Sequence, residues 1–210
     1  MKKVTVEDGE GQIIEKKSRF IGEIRKASTP EEALALVESV RKKYFDAKHH
    51  CFAYVCGADG EKERYSDDGE PQGTAGQPLL SLLKAGDITD SVIIVTRYFG
   101  GVLLGPGGLV RAYTAAGEAA IKNAKLASMV TGTLMTVSFP FKDENTVRNI
   151  CRNLSQNDIH LEIKDVAYSD RCDMAVICEK TGVEAFKKNV TDTLAGGADI
   201  TEDEDTTMLI

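Results

Sequence analysis

Carboxylates, histidines and arginines gather around two glycine-rich segments of this chain. The first segment, residues 67–76, carries three acidic side chains within four positions, those of Asp67, Asp68 and Glu70. Closely spaced carboxylates can hold Mg²⁺, which prefers oxygen ligands, and together with His49 they could form a hydrolytic site. The alternative is a tight turn in which the acids accept hydrogen bonds from backbone N–H groups. Acids that cap a turn are common, so the turn is the favoured interpretation.

The second glycine-rich segment begins where a buried strand is predicted to end and leads into a helix predicted from about Gly108. Main-chain N–H groups of a glycine loop, together with the positive end of a helix dipole, favour anion binding. Arginine side chains on both sides of the loop can bind a phosphate group in a bidentate manner. The predicted anion or nucleic-acid site comprises Arg97, Gly100, Gly101, Gly105, Gly107, Gly108 and Arg111.

A structural interpretation of the same segment stays open. The glycines could serve only tight packing between helix and sheet, with Arg111 bound to an internal acid such as Glu118. The loop matches neither a Walker A sequence nor the dinucleotide-binding fingerprint. Tyr98 and Phe99 could stack on a nucleobase, although such aromatic side chains more often anchor a loop.

Composition is that of an ordinary soluble protein, with 42% hydrophobic and 28% charged residues in a chain of 210. The longest strongly apolar run, residues 92–95, is far shorter than the roughly 20 residues that span a membrane. No apolar segment follows Lys2 and Lys3, so we expect a cytoplasmic protein without membrane contact. The five scattered cysteines do not form a disulfide framework, and Cys51 and Cys56 are expected to be buried thiols rather than zinc ligands. No metal or cofactor is expected.

Charge is distributed unevenly along the chain. The net charge is −7, which argues against a wholly basic nucleic-acid binder. Residues 1–130 contain 18 basic and 18 acidic residues, whereas residues 131–210 contain 8 and 15. A polyanionic partner would therefore bind the first part of the chain.

Hydrophobic periodicity indicates helices and strands in both parts of the chain, and composition and charge change together near residues 128–133. We therefore expect an α+β chain with two domains, residues 1–130 and 131–210. In the first domain, residues 4–27 indicate two strands, the second of which begins at Ser18, and Thr29 with Pro30 indicates the start of a helix. A stripe of small residues after Gly108 is suited to close packing of a helix on a sheet. In the second domain the predicted order is βαββαβ, that of a ferredoxin-like domain, with a capping box at residues 181–184 and a last strand at 206–210.

Four motifs of the first domain resemble those of the Impact family. They are Ser18-Arg19-Phe20-Ile21, residues 46–54 (DAKHHCFAY), residues 66–76 (SDDGEPQGTAG) and residues 97–113 (RYFGGVLLGPGGLVRAY). The motifs are long and specific, and the likeness spans essentially the whole chain. The chain departs from the family pattern at Lys48, where a hydroxyl residue is usual, at Gln77, where a basic residue is common, and at Pro106. Gln77 weakens any role for that position as a phosphate contact.

This resemblance implies a first domain with the fold of the second domain of ribosomal protein S5 and a ferredoxin-like second domain. Both resemble consecutive domains of elongation factor G, which is the basis for expecting contact with RNA or the ribosome. Eukaryotic relatives act in translational control by preventing activation of a starvation-responsive kinase. The fold likeness to ribosomal factors is an analogy.

Three functions follow from the residues and the resemblance. The first is a non-enzymatic, translation-associated regulatory protein that binds RNA or the ribosome. The second is a hydrolase of a phosphoester or peptide-like small molecule that uses His49, Asp67, Asp68 and Glu70. The third is a protein–protein adaptor that recruits its partner through the acidic second domain. The first hypothesis is favoured.

Overall fold

The computed structural model describes residues 2–210, and of Val6 only the backbone. Met1, where the predicted first domain begins, lies outside the described residues. Tertiary contacts divide the chain into two compact units, of which the first ends at Ser128 and the second begins at Met129. Both units mix helices with strands, so the chain is α+β, as predicted.

The first unit contains three helices and strands of two sheets. Its strands are β1 (Lys3–Glu7), β2 (Gly9–Glu15), β3 (Ser18–Lys26), β4 (His49–Cys56), β5 (Lys62–Ser66), β6 (Ile88–Thr89), β7 (Ser91–Tyr98) and the beginning of β8 (Lys125–Phe139). Its helices are α1 (Pro30–Lys43), α2 (Gly76–Ala85) and α3 (Pro106–Asn123).

A five-stranded antiparallel sheet with the order β2-β3-β7-β4-β5 forms the centre of this unit. Helix α1 packs on one face, where Val92 and Ile94 of β7 are buried. Helices α2 and α3 pack on the other face, which buries Ile93 and Val95. Because apolar side chains are needed on both faces, β7 is a continuous apolar run, and the predicted buried strand before the glycine loop is confirmed.

Helix α3 lies unusually close to strands β2 and β3. A Cβ atom at Gly22 would be 2.3 Å from the carbonyl oxygen of Ala116, and one at Gly9 would be 2.2 Å from that of Ala120. Glycine in the strands and alanine on the helix together permit this approach. The predicted close packing of the small-residue stripe on a sheet is confirmed.

Residues 4–27 form three strands, not two. The second predicted strand does begin at Ser18, but the segment before it divides at Asp8. Strand β2 pairs with β3, whereas β1 pairs with β6 and with the beginning of β8. The prediction was wrong here because the chain passes from one sheet to the other at Asp8, within a single pattern of alternating apolar and polar residues.

The start of α1 follows its sequence signals. Thr29 is the N-cap, and its hydroxyl accepts a 3.2 Å hydrogen bond from the N–H of Glu32. The Glu32 carboxylate accepts a hydrogen bond from the N–H of Ser28, and Pro30 occupies the first turn.

The second unit continues β8 and then contains α4 (Glu144–Ser155), β9 (Leu161–Tyr168), β10 (Cys172–Glu179), α5 (Val183–Thr193) and β11 (Asp199–Leu209). The strands lie in the order β11-β8-β10-β9, all antiparallel. Apolar side chains of α4 and α5, such as Val147 and Phe186, share one core with Met135 and Val176 of the sheet. The βαββαβ order of elements is the predicted one.

Two details of this unit differ from the predictions. Helix α5 begins at Val183, but Thr181 does not cap it, because the Thr181 hydroxyl donates to the carboxylate of Glu179. The last strand begins at Asp199 rather than at residue 206, and the acidic run at 202–205 is part of it. These acidic side chains are exposed, which is why their strand lacks an apolar signature.

Candidate functional site

A cleft of about 390 Å³ opens in the first unit beside the start of α3. Residues from three parts of the chain contribute: residues 48–49 at the beginning of β4, residues 70–71 in the acidic loop before α2, and residues 97–109, which include the end of β7, the glycine loop and the start of α3. The cleft is lined by Lys48, His49, Glu70, Pro71, Arg97, Phe99, Leu103, Leu104, Gly105, Pro106 and Leu109. Most of its wall is apolar.

The polar residues of the lining include a buried ion pair. Nη1 of Arg97 donates to Oε1 of Glu70 at 2.6 Å, and the two side chains are only 6% and 4% exposed. The Arg97 guanidinium lies between two aromatic rings, 5.4 Å from the centre of Phe20 and 5.5 Å from that of Phe99. Its Nε is buried and has no hydrogen-bond acceptor among the described residues. Arg97 therefore retains one unsatisfied donor beside the cleft.

The ion pair extends inward through a tyrosine and a cysteine. The Tyr113 hydroxyl donates to the same carboxylate oxygen of Glu70 at 2.8 Å. Sγ of Cys51 lies 3.4 Å from that hydroxyl and 2.9 Å from the carbonyl oxygen of Asp67. Burial raises the pKa of the Cys51 thiol and of the Tyr113 hydroxyl above their usual values. Both groups are consequently neutral, and Cys51 is a buried thiol in a strand, as predicted.

Asp67 holds the start of α2. Its carboxylate accepts hydrogen bonds of 2.8, 3.0 and 2.8 Å from the N–H groups of Gly73, Ala75 and Gly76. A negative charge at this end of a helix is favourable, because the first N–H groups have no partner inside the helix. The positive end of α2 is therefore already neutralised from within the protein.

Asp68 joins the acidic loop to α1 and β4. Its carboxylate accepts a hydrogen bond of 2.8 Å from Arg41 and one of 2.7 Å from the N–H of His50. Nδ1 of His49 lies 2.9 Å from the Asp68 carbonyl oxygen, and Nε2 of His50 lies 3.1 Å from the carbonyl of Tyr44. Both histidines thus have internal hydrogen-bond partners.

The residues of the hydrolase hypothesis therefore lie close together in the fold, but their carboxylates have internal partners. Asp67 binds backbone N–H groups, Asp68 binds Arg41, and Glu70 binds Arg97. Within residues 2–210, no three His, Cys, Asp or Glu side chains are arranged to share a metal ion. Of the four residues proposed for catalysis, His49 and Glu70 line the cleft.

Two glycines of the glycine loop allow a close contact or a backbone conformation that a side chain would prevent. Gly100 packs on the turn between β2 and β3, where a Cβ atom would lie 2.0 Å from the backbone of Lys17. Gly105 has φ of 72° and ψ of 166°, a combination that side-chain-bearing residues rarely adopt. Pro106 follows and begins α3, two residues earlier than predicted, since proline suits the first helical position.

The beginning of α3 is open, unlike that of α2. No side chain of the described chain caps it, and the N–H groups of Gly107 and Gly108 lie in its first turn. Arg111 is exposed one turn further along, with no ion pair to Glu118 among the described contacts. A Cβ atom at Gly107 would lie 3.6 Å from Nη1 of Arg111, so this side chain lies beside the helix start.

Sequence reasoning missed several residues of this surface. Lys48 lines the cleft, and Lys16 and Lys17 are exposed in the turn that Gly100 contacts. Lys48 could have been proposed because it directly precedes His49. The apolar side chains that line the cleft, such as Leu103, were not predicted as part of a site. A leucine within a glycine loop suggests packing inside the protein and does not by itself indicate a binding surface.

Comparison with known proteins identifies the family. Residues 16–121 match the Impact N-terminal domain. The chain is 36% identical to the IMPACT family member YvyE of Bacillus subtilis over 198 residues, which cover 94% of this chain and 89% of that protein. This chain belongs to the Impact family.

Further similarities fit this assignment. The IMPACT family member YigZ of Escherichia coli is 51% identical over 100 residues, which cover 47% of this Impact chain and 49% of YigZ. A crystal structure of a hypothetical protein has a TM-score of 0.60 and 31% identity over 97% of this chain and 98% of its own. Every residue that lines the cleft lies within the segment that matches the Impact domain. Among residues 2–210, no helix is long and apolar enough to cross a membrane.

Proposed function

We propose that this Impact-family protein is a non-enzymatic, translation-associated regulator that binds RNA phosphates through the surface around the cleft. Its family has eukaryotic members whose role, as the resemblance implies, lies in translational control. The observation that carries the proposal is the open start of α3 beside the cleft. Uncapped N–H groups at the start of a helix of 18 residues form a natural site for a phosphate group.

Exposed basic side chains lie at the cleft and beside the glycine loop that leads into this helix. Lys16 and Lys17 are exposed in the turn that packs on Gly100, Lys48 lines the cleft, and Arg111 lies beside the first turn of α3. We call these four side chains the basic rim. They are exposed cations without a carboxylate partner among the described ion pairs, so they are available to phosphate groups.

The sequence predicted Arg97 as part of the anion site, but in this proposal Arg97 does not itself attract the phosphate groups. Its charge is compensated by Glu70, and its guanidinium is buried. It therefore positions the loop, while the basic rim supplies the attraction to RNA. The hydrolase alternative has less support, because the carboxylates of Asp67, Asp68 and Glu70 are occupied by internal partners.

We further infer that the second unit is ferredoxin-like and that the first has the S5-type fold. Support for the former comes from the βαββαβ order, the antiparallel strands and a core shared by both helices and the sheet. The latter assignment follows from the family resemblance. Both folds are consistent with a protein that acts at the ribosome.

Filter binding of single-stranded RNA, with co-sedimentation with ribosomes in parallel, tests this function. If the four cations of the basic rim each neutralise one phosphate, affinity should fall roughly 50-fold between about 50 and about 200 mM salt. An absence of association with both RNA and ribosomes at the lower salt concentration would contradict the proposal. Affinity that does not change with salt would contradict the phosphate contacts.

A further inference from the structure

The cleft differs from a simple phosphate site in its size and lining. Its volume of about 390 Å³ lies within the range of small-molecule sites, roughly 300 to 1,000 Å³. A phosphate ion would fill a small part of it and would gain nothing from walls made of leucine, proline and phenylalanine. A ligand that fills the cleft would combine an apolar portion, which contacts these walls, with a polar group that binds the polar residues of the lining.

The apolar wall offers an aromatic ring for stacking. Phe99 is 52% exposed although it lines the cleft, and Leu103 beside it is 82% exposed. The Arg97 guanidinium lies over the Phe99 ring, 5.5 Å from its centre. A nucleobase stacks readily on such a ring, because every base has an apolar π-face.

The anionic portion of the ligand has its own place at the cleft. Gly105 and Pro106, at the start of α3, are part of the lining, and so is Lys48. Arg97 also lines the cleft and is more than nine-tenths buried, and its Nε has no acceptor among the described residues. A buried donor without an acceptor is costly unless a ligand or water satisfies it.

We propose that the cleft binds one unpaired nucleotide of a single-stranded RNA. Its base stacks on Phe99 against the leucine wall, and its phosphate lies at the N–H groups of Gly107 and Gly108 with Lys48 nearby. Bases within a duplex are stacked on their neighbours and cannot enter a cleft of this size, so single strands are preferred. This inference rests on the proposed RNA-binding function and specifies the form of RNA that is bound.

Fluorescence of 2-aminopurine in a short single-stranded RNA tests this proposal with the full-length protein. Stacking on Phe99 should quench the base when the protein binds. A duplex of the same sequence should bind at least ten-fold more weakly. The variant Phe99→Leu keeps an apolar side chain but loses the ring, and its affinity should fall roughly ten-fold with loss of the quenching.

Phe45→Leu is the matched control. Phe45 is 84% exposed and is not among the residues that line the cleft, so its variant should bind and quench like the wild type. Both positions are exposed, and thermal melting should confirm that each variant is folded. An equal effect of both variants would overturn the proposal.

Competition by small ligands separates the two parts of the site. Adenosine monophosphate should displace the RNA at lower concentration than either adenosine or inorganic phosphate. Equal displacement by phosphate and by the mononucleotide would overturn the role of the apolar wall. RNA binding without quenching, and with no preference for single strands, would overturn the cleft proposal while the proposed function stands. An absence of any RNA or ribosome association would instead overturn the proposed function.

Discussion

The guanidinium of Arg97 and the carboxylate of Glu70 form a 2.6 Å ion pair from which water is almost completely excluded. The pair joins the end of β7 to the acidic loop, 27 residues away in sequence. Tyr113 of α3 donates to the same carboxylate, so one buried acid connects strand, loop and helix. This connection holds together three of the elements that contribute to the cleft.

Replacement of Glu70 tests the importance of this pair for stability. In Glu70→Ala the buried Arg97 charge loses its partner, and we expect the free energy of unfolding to decrease by about 3–5 kcal/mol. Glu63→Ala is the control, since Glu63 pairs with Lys84 at the surface and should cost less than about 1 kcal/mol. Urea unfolding followed by tyrosine fluorescence is suitable, because five of the six tyrosines lie in the first unit. Similar losses in both variants would contradict the account.

Gly105 and Gly107 should respond differently to the same substitution. Gly105→Ala places a side chain at φ 72° and ψ 166°, where about 1–3 kcal/mol of strain is expected. Gly107→Ala lies in the first turn of α3, has room for a Cβ atom and should be neutral or stabilising by up to about 1 kcal/mol. Thermal melting of both variants measures the difference. A more stable Gly105→Ala protein would show that the loop conformation is incorrect.

Asp67 should contribute more to stability than an ordinary helix cap. Asp67→Ala removes the acceptor of three N–H groups at the start of α2, and we expect a loss of about 2 kcal/mol or more. Thr29→Ala removes a single exposed capping bond of α1 and should cost about 1 kcal/mol. Urea unfolding of both variants decides this comparison. An equal or smaller loss in Asp67→Ala would argue against the capping role of its carboxylate.

The thiols of the folded protein should be unreactive. All five cysteines are buried, and burial raises the pKa of Cys56 and Cys151 to about 11. Since the thiolate is the reactive form, iodoacetamide at about pH 8 should label the native protein slowly and should label five sites after unfolding in urea. Mass spectrometry counts the labels. Rapid labelling of the native protein would contradict this burial.

The same thiols imply a direction for the effect of alkaline pH on stability. In the unfolded chain they lose their protons near the ordinary value of 9.0, whereas in the folded protein Cys56 stays protonated up to about 11. Their stabilising contribution is complete below pH 9 and is lost as the pH rises from 9 to 11. The midpoint of urea unfolding should therefore decrease over this interval.

The sequence predicted much of the fold because several elements carry local signals. Thr29 and Pro30 marked the start of α1, and the apolar run of β7 indicated burial on both faces. The division between β1 and β2 at Asp8 could not be predicted, since it depends on which distant strands each segment pairs with. The exposed acidic part of β11 likewise lacks the apolar alternation that would identify a strand.

The sequence predicted several residues of the candidate site, but it did not predict which of these residues contact one another. Glu70 and Arg97 were assigned to separate hypotheses, one catalytic and one anion-binding, yet they form one ion pair. That pairing depends on the tertiary fold and has no local signature. The sequence also did not show that the start of α2 is capped whereas the start of α3 is not. The residue that caps α2 is Asp67, which lies nine residues before Gly76.

The central claim is that RNA phosphates bind beside the open start of α3. The most direct test is the salt dependence of single-stranded RNA binding by Lys48→Gln, with Lys122→Gln as the control. Lys48 lines the cleft, whereas Lys122 lies in the last turn of α3, about 24 Å along the helix from its beginning.

Lys48→Gln should weaken binding and reduce the steepness of log K against log salt by about 0.7, the share of one phosphate contact on a single strand. Lys122→Gln should retain the slope and the affinity of the wild type. An unchanged slope in Lys48→Gln, or an equal change in both variants, would contradict the claim.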